Sequence, residues 1–127
     1  MKINVLVIED DQLMAGLLVE KLSKADFNVR LAGNGEAGLN EMEKEVPDIV
    51  LLDLILPGLG GFEVLAKIKE NEATKGVSII ILSNLGSREE IERGMKLGAE
   101  GYLIKSNVLI DEVVTEIRKV AAKRQMP

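Results

Sequence analysis

Residues 48–58, DIVLLDLILPG, decide how this chain folds. Ile49 to Leu52 form an unbroken aliphatic run, the signature of a strand buried on both faces of a parallel sheet. Asp53 interrupts that run, and Leu54, Ile55 and Leu56 resume it before Pro57-Gly58 turns the chain. An ionised carboxylate buried without partners is expensive. The strand must therefore end at Asp53 in a setting that tolerates charge.

Composition narrows what that setting does. With 127 residues the chain is long enough for one domain with a real core. Apolar residues make up 46% but aromatics only 2%, so the core must be aliphatic. The net charge of −5 argues against direct nucleic-acid binding, which needs basic surface. There is no Cys, so disulfides, thiolate metal sites and thiol nucleophiles are excluded. The absence of His removes His-based triads, His metal sites and phosphohistidine chemistry on this chain. Residues 3–8, INVLVI, are too short for a membrane span or a signal-peptide core, and acids follow directly. The expectation is a cytoplasmic protein, residues 1–127 forming one domain with no linker, and no membrane partner.

Short β-branched runs alternate with longer amphipathic segments along the whole chain. Strands are expected at Ile3–Ile8, Asn28–Leu31, Ile49–Asp53, Val77–Leu82 and Gly101–Ile104, and helices near 12–25, 35–45, 60–73, 87–97 and 107–124. Leu13, Leu17, Leu18 and Leu22 recur at helical spacing, as do Leu109, Val113, Ile117 and Val120. Pro47 and Gly76 are read as helix terminators. Strict alternation predicts a three-layer α/β domain with helices on both faces of a parallel sheet. In such folds ligands sit outside the carboxyl ends of the strands.

Those ends carry the chemistry. The first strand runs into Glu9-Asp10-Asp11, more acids than helix capping requires. Asp11 suits the cap, leaving Glu9 and Asp10 for a metal or charge-relay role. Asp53 ends the third strand, Ser83 follows the fourth, and Lys105 follows the fifth. Three converging carboxylates repel one another unless a cation is present, and Mg²⁺ suits few carboxylates plus phosphate oxygens. Acids, one hydroxyl and one ammonium together fit a phosphoryl group, with Ser83 and Lys105 on its oxygens. A carboxylate with a free oxygen can itself be phosphorylated. Without His or Cys, Asp53 is the plausible covalent acceptor.

The motifs VLVIEDD, DIVLLDLILPG, IIILSN and GYLIK, in this order and spacing, resemble the receiver domain of two-component response regulators over roughly residues 2–122. The resemblance implies a flavodoxin-like doubly wound sheet with strand order 2-1-3-4-5. It implies Asp53 as phosphoacceptor and metal ligand, Asp10 as direct Mg²⁺ ligand, Glu9 as its partner acid, and the Ile55 carbonyl as a further ligand. Ser83 and Lys105 would bind the phosphoryl group, and Tyr102 would be the aromatic that turns inward on activation. The donor would be a histidine kinase, a phosphotransfer protein or a small acyl phosphate. Output would pass to another domain or protein through the face of helix four, strand five and helix five, from a monomer or a weak phosphorylation-dependent dimer. The domain would catalyse only its own phosphorylation and dephosphorylation.

Departures from the family pattern are informative. Ser106 stands where most receivers have proline after a cis bond, and site geometry leads us to expect Lys105–Ser106 to be cis despite a cost of about 2.5–4 kcal/mol. The turn after the acceptor strand, Leu59-Gly60-Gly61, lacks the usual acid. Ile55, Asn84 and Leu85 flank the site, and their bulk predicts slow hydrolysis of an aspartyl phosphate. Gly94, in a helix interior, reads as close packing against the sheet or as a deliberately soft helix. Val108, Ile110 and Val114 belong either to an apolar output patch or to the core. Three other readings are weaker. A Mg²⁺ phosphatase would have an acid where Ile55 stands, an FMN binder needs a Ser/Thr/Gly-rich loop after strand one, and a degenerate receiver would not keep the acid–Ser–Lys set.

Overall fold

The computed structural model describes residues 2–125; residues 1, 126 and 127 of the expected 1–127 domain lie outside the described residues. Strands β1 (Asn4–Ile8), β2 (Asn28–Ala32), β3 (Ile49–Leu52), β4 (Ser78–Ser83) and β5 (Gly101–Ile104) alternate with five helices. The helices are α1 (Gln12–Lys24), α2 (Gly35–Lys44), α3 (Gly61–Glu70), α4 (Arg88–Lys96) and α5 (Ile110–Gln125). The strands form one parallel sheet in the order β2-β1-β3-β4-β5, as expected. Among the described residues, no helix is long and apolar enough to cross a membrane.

Strand periodicity explains the uniform apolar runs. Val5 and Val7 of β1, Ile49 and Leu51 of β3, and Ile80 and Leu82 of β4 share one core with Leu18 and Leu22 of α1 and Val113, Ile117 and Val120 of α5. The alternate residues Leu6, Ile8, Val50, Leu52, Ile79 and Ile81 share the other with Met42 of α2 and Val64, Leu65 and Ile68 of α3. A strand with helices on both faces has no polar side, so alternation disappears from its sequence. At about 25 cal/mol per Å² of apolar surface, these aliphatic side chains stabilise the sheet that carries the site.

Several boundaries move for identifiable reasons. β3 stops at Leu52, one residue short of Asp53. α3 stops at Glu70 and not near 73, because the Thr74 hydroxyl donates to the Ile68 carbonyl at 2.7 Å, an acceptor that a longer helix would use. Gly76 therefore leads into β4 and does not close the helix. After β5, Lys105–Asn107 form a 3₁₀ turn and α5 begins at Ile110, later than the expected 107. The side chain of Glu112 accepts the Leu109 N–H at 2.9 Å and caps that start.

The leucine stripe of α1 resolves into one buried half and one exposed half. Leu18 and Leu22 are buried with Ala15, whereas Leu13 is 75% and Leu17 43% exposed. Leu109 is 71% exposed because it precedes the helix. Val114 is core, and Val108 and Ile110 pack against the same core, so these three do not form an outward patch. Gly94 is the close-packing case: a Cβ there would lie 2.7 Å from Ile81 Cδ1 and 3.3 Å from the Tyr102 ring.

Candidate functional site

The carboxyl ends of four parallel strands, β1, β3, β4 and β5, bring the site residues to one rim of the sheet. The Asp11 side chain accepts from the Leu13 and Met14 N–H groups, so it is the N-cap of α1. That leaves Glu9 and Asp10 outside the capping, as expected. α3 has no side-chain cap, and its first residue, Gly61, lies directly against the turn after β3. A Cβ on Gly61 would fall 2.4 Å from Leu54 Cα and 2.5 Å from the Asp53 carbonyl oxygen. Only glycine allows that approach, so Gly61 sets the backbone that carries Asp53. The sequence named Gly61 only as part of a turn lacking an acid.

Glu9, Asp10 and Asp53 each offer a carboxylate oxygen, and these oxygens lie within 4.8 Å of one another. Glu9 is 3% and Asp53 4% exposed, while Asp10 is open to solvent. Lys105 bridges the two buried acids: Nζ is 2.6 Å from Glu9 Oε1 and 2.7 Å from Asp53 Oδ2. Glu9 also accepts the Asp11 N–H at 3.1 Å, and Asp53 Oδ1 accepts the Ile55 N–H at 3.1 Å. Both Asp53 oxygens are therefore engaged, against the expectation of a free one. Buried acids recruit the nearest donors, although each oxygen retains a second lone pair.

Burial pushes the Glu9 carboxyl above its ordinary value, against the lowering effect of its hydrogen bond to Lys105. Burial also works to lower Lys105, but its hydrogen bonds to Asp53 and Glu9 outweigh that and hold it above the usual lysine range. The ammonium stays charged at neutral pH. The donor set fits a small hard cation: oxygen ligands from two buried acids and one exposed acid, on a rim open to water.

Ser83 and Tyr102 occupy the same rim but are not bonded to the acids. Ser83 is fully buried, and its Oγ accepts the Leu85 N–H at 3.4 Å. The Tyr102 hydroxyl donates to the Leu85 carbonyl, and its half-buried ring packs on the α2/α3 core. The ring is thus already turned inward, and burial raises the phenol above its ordinary value. Both residues meet at the Leu85 backbone, a junction the sequence did not reveal because a main-chain group carries no residue signature. Ile55 contributes its N–H to Asp53, and its side chain is 53% exposed.

The Lys105–Ser106 bond is trans, against expectation, as is every peptide bond among the described residues. Without proline, cis retains its full penalty. In the trans form the Ser106 N–H donates to Asn84 Oδ1 at 3.1 Å, a bond no proline could make.

Comparison with known proteins gives this arrangement its context. Residues 5–118 match the family model described as the response regulator receiver domain. Response regulator PleD of Caulobacter vibrioides is 32% identical over 114 residues, covering 90% of this chain and 24% of that protein. Transcriptional regulatory protein CusR of Escherichia coli is 33% identical over 122 residues, covering 94% of this chain and 53% of that protein. The chain thus spans between a quarter and about half of these relatives. The structure of the Francisella response regulator 1452 receiver domain superposes with a TM-score of 0.90 at 26% identity, covering 98% of this chain and all of that one. With strand order, acid cluster and family match in agreement, the chain belongs to the response regulator receiver domain family, a family of two-component signalling domains.

Proposed function

We propose that this receiver domain accepts a phosphoryl group on Asp53, with Mg²⁺ held by Glu9, Asp10, Asp53 and the Ile55 carbonyl. The observation that carries the reading is the convergence of three carboxylate oxygens within 4.8 Å on a rim where a charged lysine reaches Asp53 at 2.7 Å. An Asp53 oxygen attacks phosphorus, forming an O–P bond. The bond from phosphorus to the donor's leaving atom breaks, and its electron pair stays on that atom. The leaving atom is the imidazole nitrogen of a phosphohistidine or the acyl oxygen of a small acyl phosphate.

The bound cation supplies charge neutralisation on phosphoryl oxygens. Lys105 exchanges part of its contact with Asp53 for a phosphoryl oxygen, and Ser83 Oγ donates to another. Release of the Leu85 N–H by Ser83 then changes the loop before α4, and the inward Tyr102, whose hydroxyl donates to the Leu85 carbonyl, holds the changed loop in place. Phosphorylation thereby shifts a conformational population and does not impose a new fold. Hydrolysis restores the Asp53 carboxylate, and Ile55 and Leu85 slow it by crowding the approach of water. The domain performs no chemistry beyond its own phosphorylation and dephosphorylation.

The donor in this reading is a histidine kinase or phosphotransfer protein in the cytoplasm. The recipient of the signal is an output domain or protein engaging the α4-β5-α5 face, with the receiver a monomer or a weak phosphorylation-dependent dimer. Neither nucleic acid nor membrane is a direct partner.

Incubation with Mg²⁺ and acetyl phosphate, followed by intact mass, tests the central step. Wild type should gain one phosphoryl group that Asp53→Asn does not gain, and EDTA should prevent it. Equal gain by Asp53→Asn, or none by wild type with any donor, refutes it.

A further inference from the structure

We infer that Asn84 is a positioning residue for Lys105, acting through the backbone of Ser106; the inference rests on the role proposed for Lys105. Parallel pairing between β4 and β5 ends at Ser83 and Ile104. One residue later on each strand, Asn84 enters the loop before α4 and Lys105 enters the 3₁₀ turn. No backbone ladder holds the two chains together beyond that pair. The Asn84 side chain takes over: its Oδ1 accepts the Ser106 N–H at 3.1 Å across a sequence separation of 22 residues. A backbone N–H needs an acceptor, so the amide must present its oxygen and not its nitrogen.

The consequence falls on Lys105. Its ammonium has to reach Glu9 at 2.6 Å and Asp53 at 2.7 Å simultaneously. A lysine side chain has several freely rotating bonds and locates its charge poorly by itself. Its placement therefore depends on where the main chain at 105–106 is held. The 3₁₀ turn has no side-chain N-cap, so Asn84 is the group that ties this turn to the neighbouring strand end. Serine at position 106 is necessary to this device only in not being proline, since the contact uses the main-chain N–H. Asn84 and Ser106 thus form one clasp that fixes the relation between the loops carrying Ser83 and Lys105.

The test is the rate of phosphorylation by acetyl phosphate in saturating Mg²⁺, measured in wild type and Lys105→Met, each with and without Asn84→Ala. Losing one hydrogen bond that orients a reacting group should slow the wild type by about three- to tenfold. In the Lys105→Met background Asn84→Ala should change nothing, because the group it positions is gone. Equal slowing in both backgrounds, or no slowing in wild type, overturns the inference. A general loss of stability would slow both backgrounds alike, so the comparison separates positioning from folding. If wild type takes up no phosphoryl group, the functional reading falls and the clasp is judged in metal-free urea unfolding. There the two substitutions should couple, and simple additivity would overturn it.

Discussion

Replacing Lys105 with methionine tests whether one ammonium holds the acid cluster together. Its Nζ lies 2.6 Å from Glu9 and 2.7 Å from Asp53, and its side chain is only 12% exposed. At an effective dielectric of about 20, each contact is on the order of 6 kcal/mol of Coulomb attraction before desolvation. Desolvating three charges consumes most of that, so the intact cluster stabilises the fold only modestly. Removing one partner is different, because it leaves two buried carboxylates facing each other. Such losses run to about 3–5 kcal/mol in full burial, and the open rim reduces the expectation here to about 2–4 kcal/mol. The assay is urea unfolding at pH 7.5 in EDTA and again in Mg²⁺. In EDTA Lys105→Met should be less stable than wild type by that amount. A cation at 100 times its Kd adds about 2.7 kcal/mol of stability. Mg²⁺ should stabilise Lys105→Met more than wild type, since lysine and metal compete for the same oxygens. Equal stability in EDTA together with equal Mg²⁺ effects would refute the coupling.

Four further substitutions separate local from tertiary causes. Gly16→Ala, where an added Cβ meets nothing within 4 Å in the α1 interior, should raise stability by about 0.5–1 kcal/mol in urea unfolding. Gly61→Ala drives a Cβ into the Leu54 and Asp53 backbone, and calorimetry should find a loss of about 1–3 kcal/mol with weaker Mg²⁺ stabilisation. Asp11→Ala removes the cap of α1 and should cost about 1 kcal/mol while leaving phosphoryl uptake by Asp53 intact. Burial lowers the Lys69 pKa from its ordinary 10.5, partly opposed by Glu100 and reinforced by Arg124. The unfolded chain then holds that proton longer, so the Lys69 contribution to stability rises with pH between the lowered folded value and 10.5. Alkaline unfolding curves of Lys69→Met should lack that rise; an unchanged pH slope would contradict it.

Most of the architecture was legible because strong local signals agreed with one another. Four-residue aliphatic runs with helical segments between them leave little freedom other than a parallel sheet covered on both faces. Asp11 announced a cap, and it caps. The failures came where two local patterns were equally good. Leu13 and Leu17 repeat at helical spacing just as Leu18 and Leu22 do, and only the sheet decides which pair is buried. Thr74 ended α3 early through a side-chain bond to Ile68 that no periodicity encodes.

The sequence by itself determined the fold class, the family and the identity of the acids and lysine at the strand ends. Those follow from periodicity and from the rule that places functional residues at the carboxyl edge of a parallel sheet. Only the tertiary structure decided how these groups pair. Both Asp53 oxygens are occupied, Ser83 and Tyr102 converge on the Leu85 backbone, and Lys105–Ser106 is trans with its N–H on Asn84. The physical reason is common to all three. Each depends on a hydrogen bond between chain segments far apart in sequence, often to a main-chain group, and such a bond is specified by where the sheet brings the segments together.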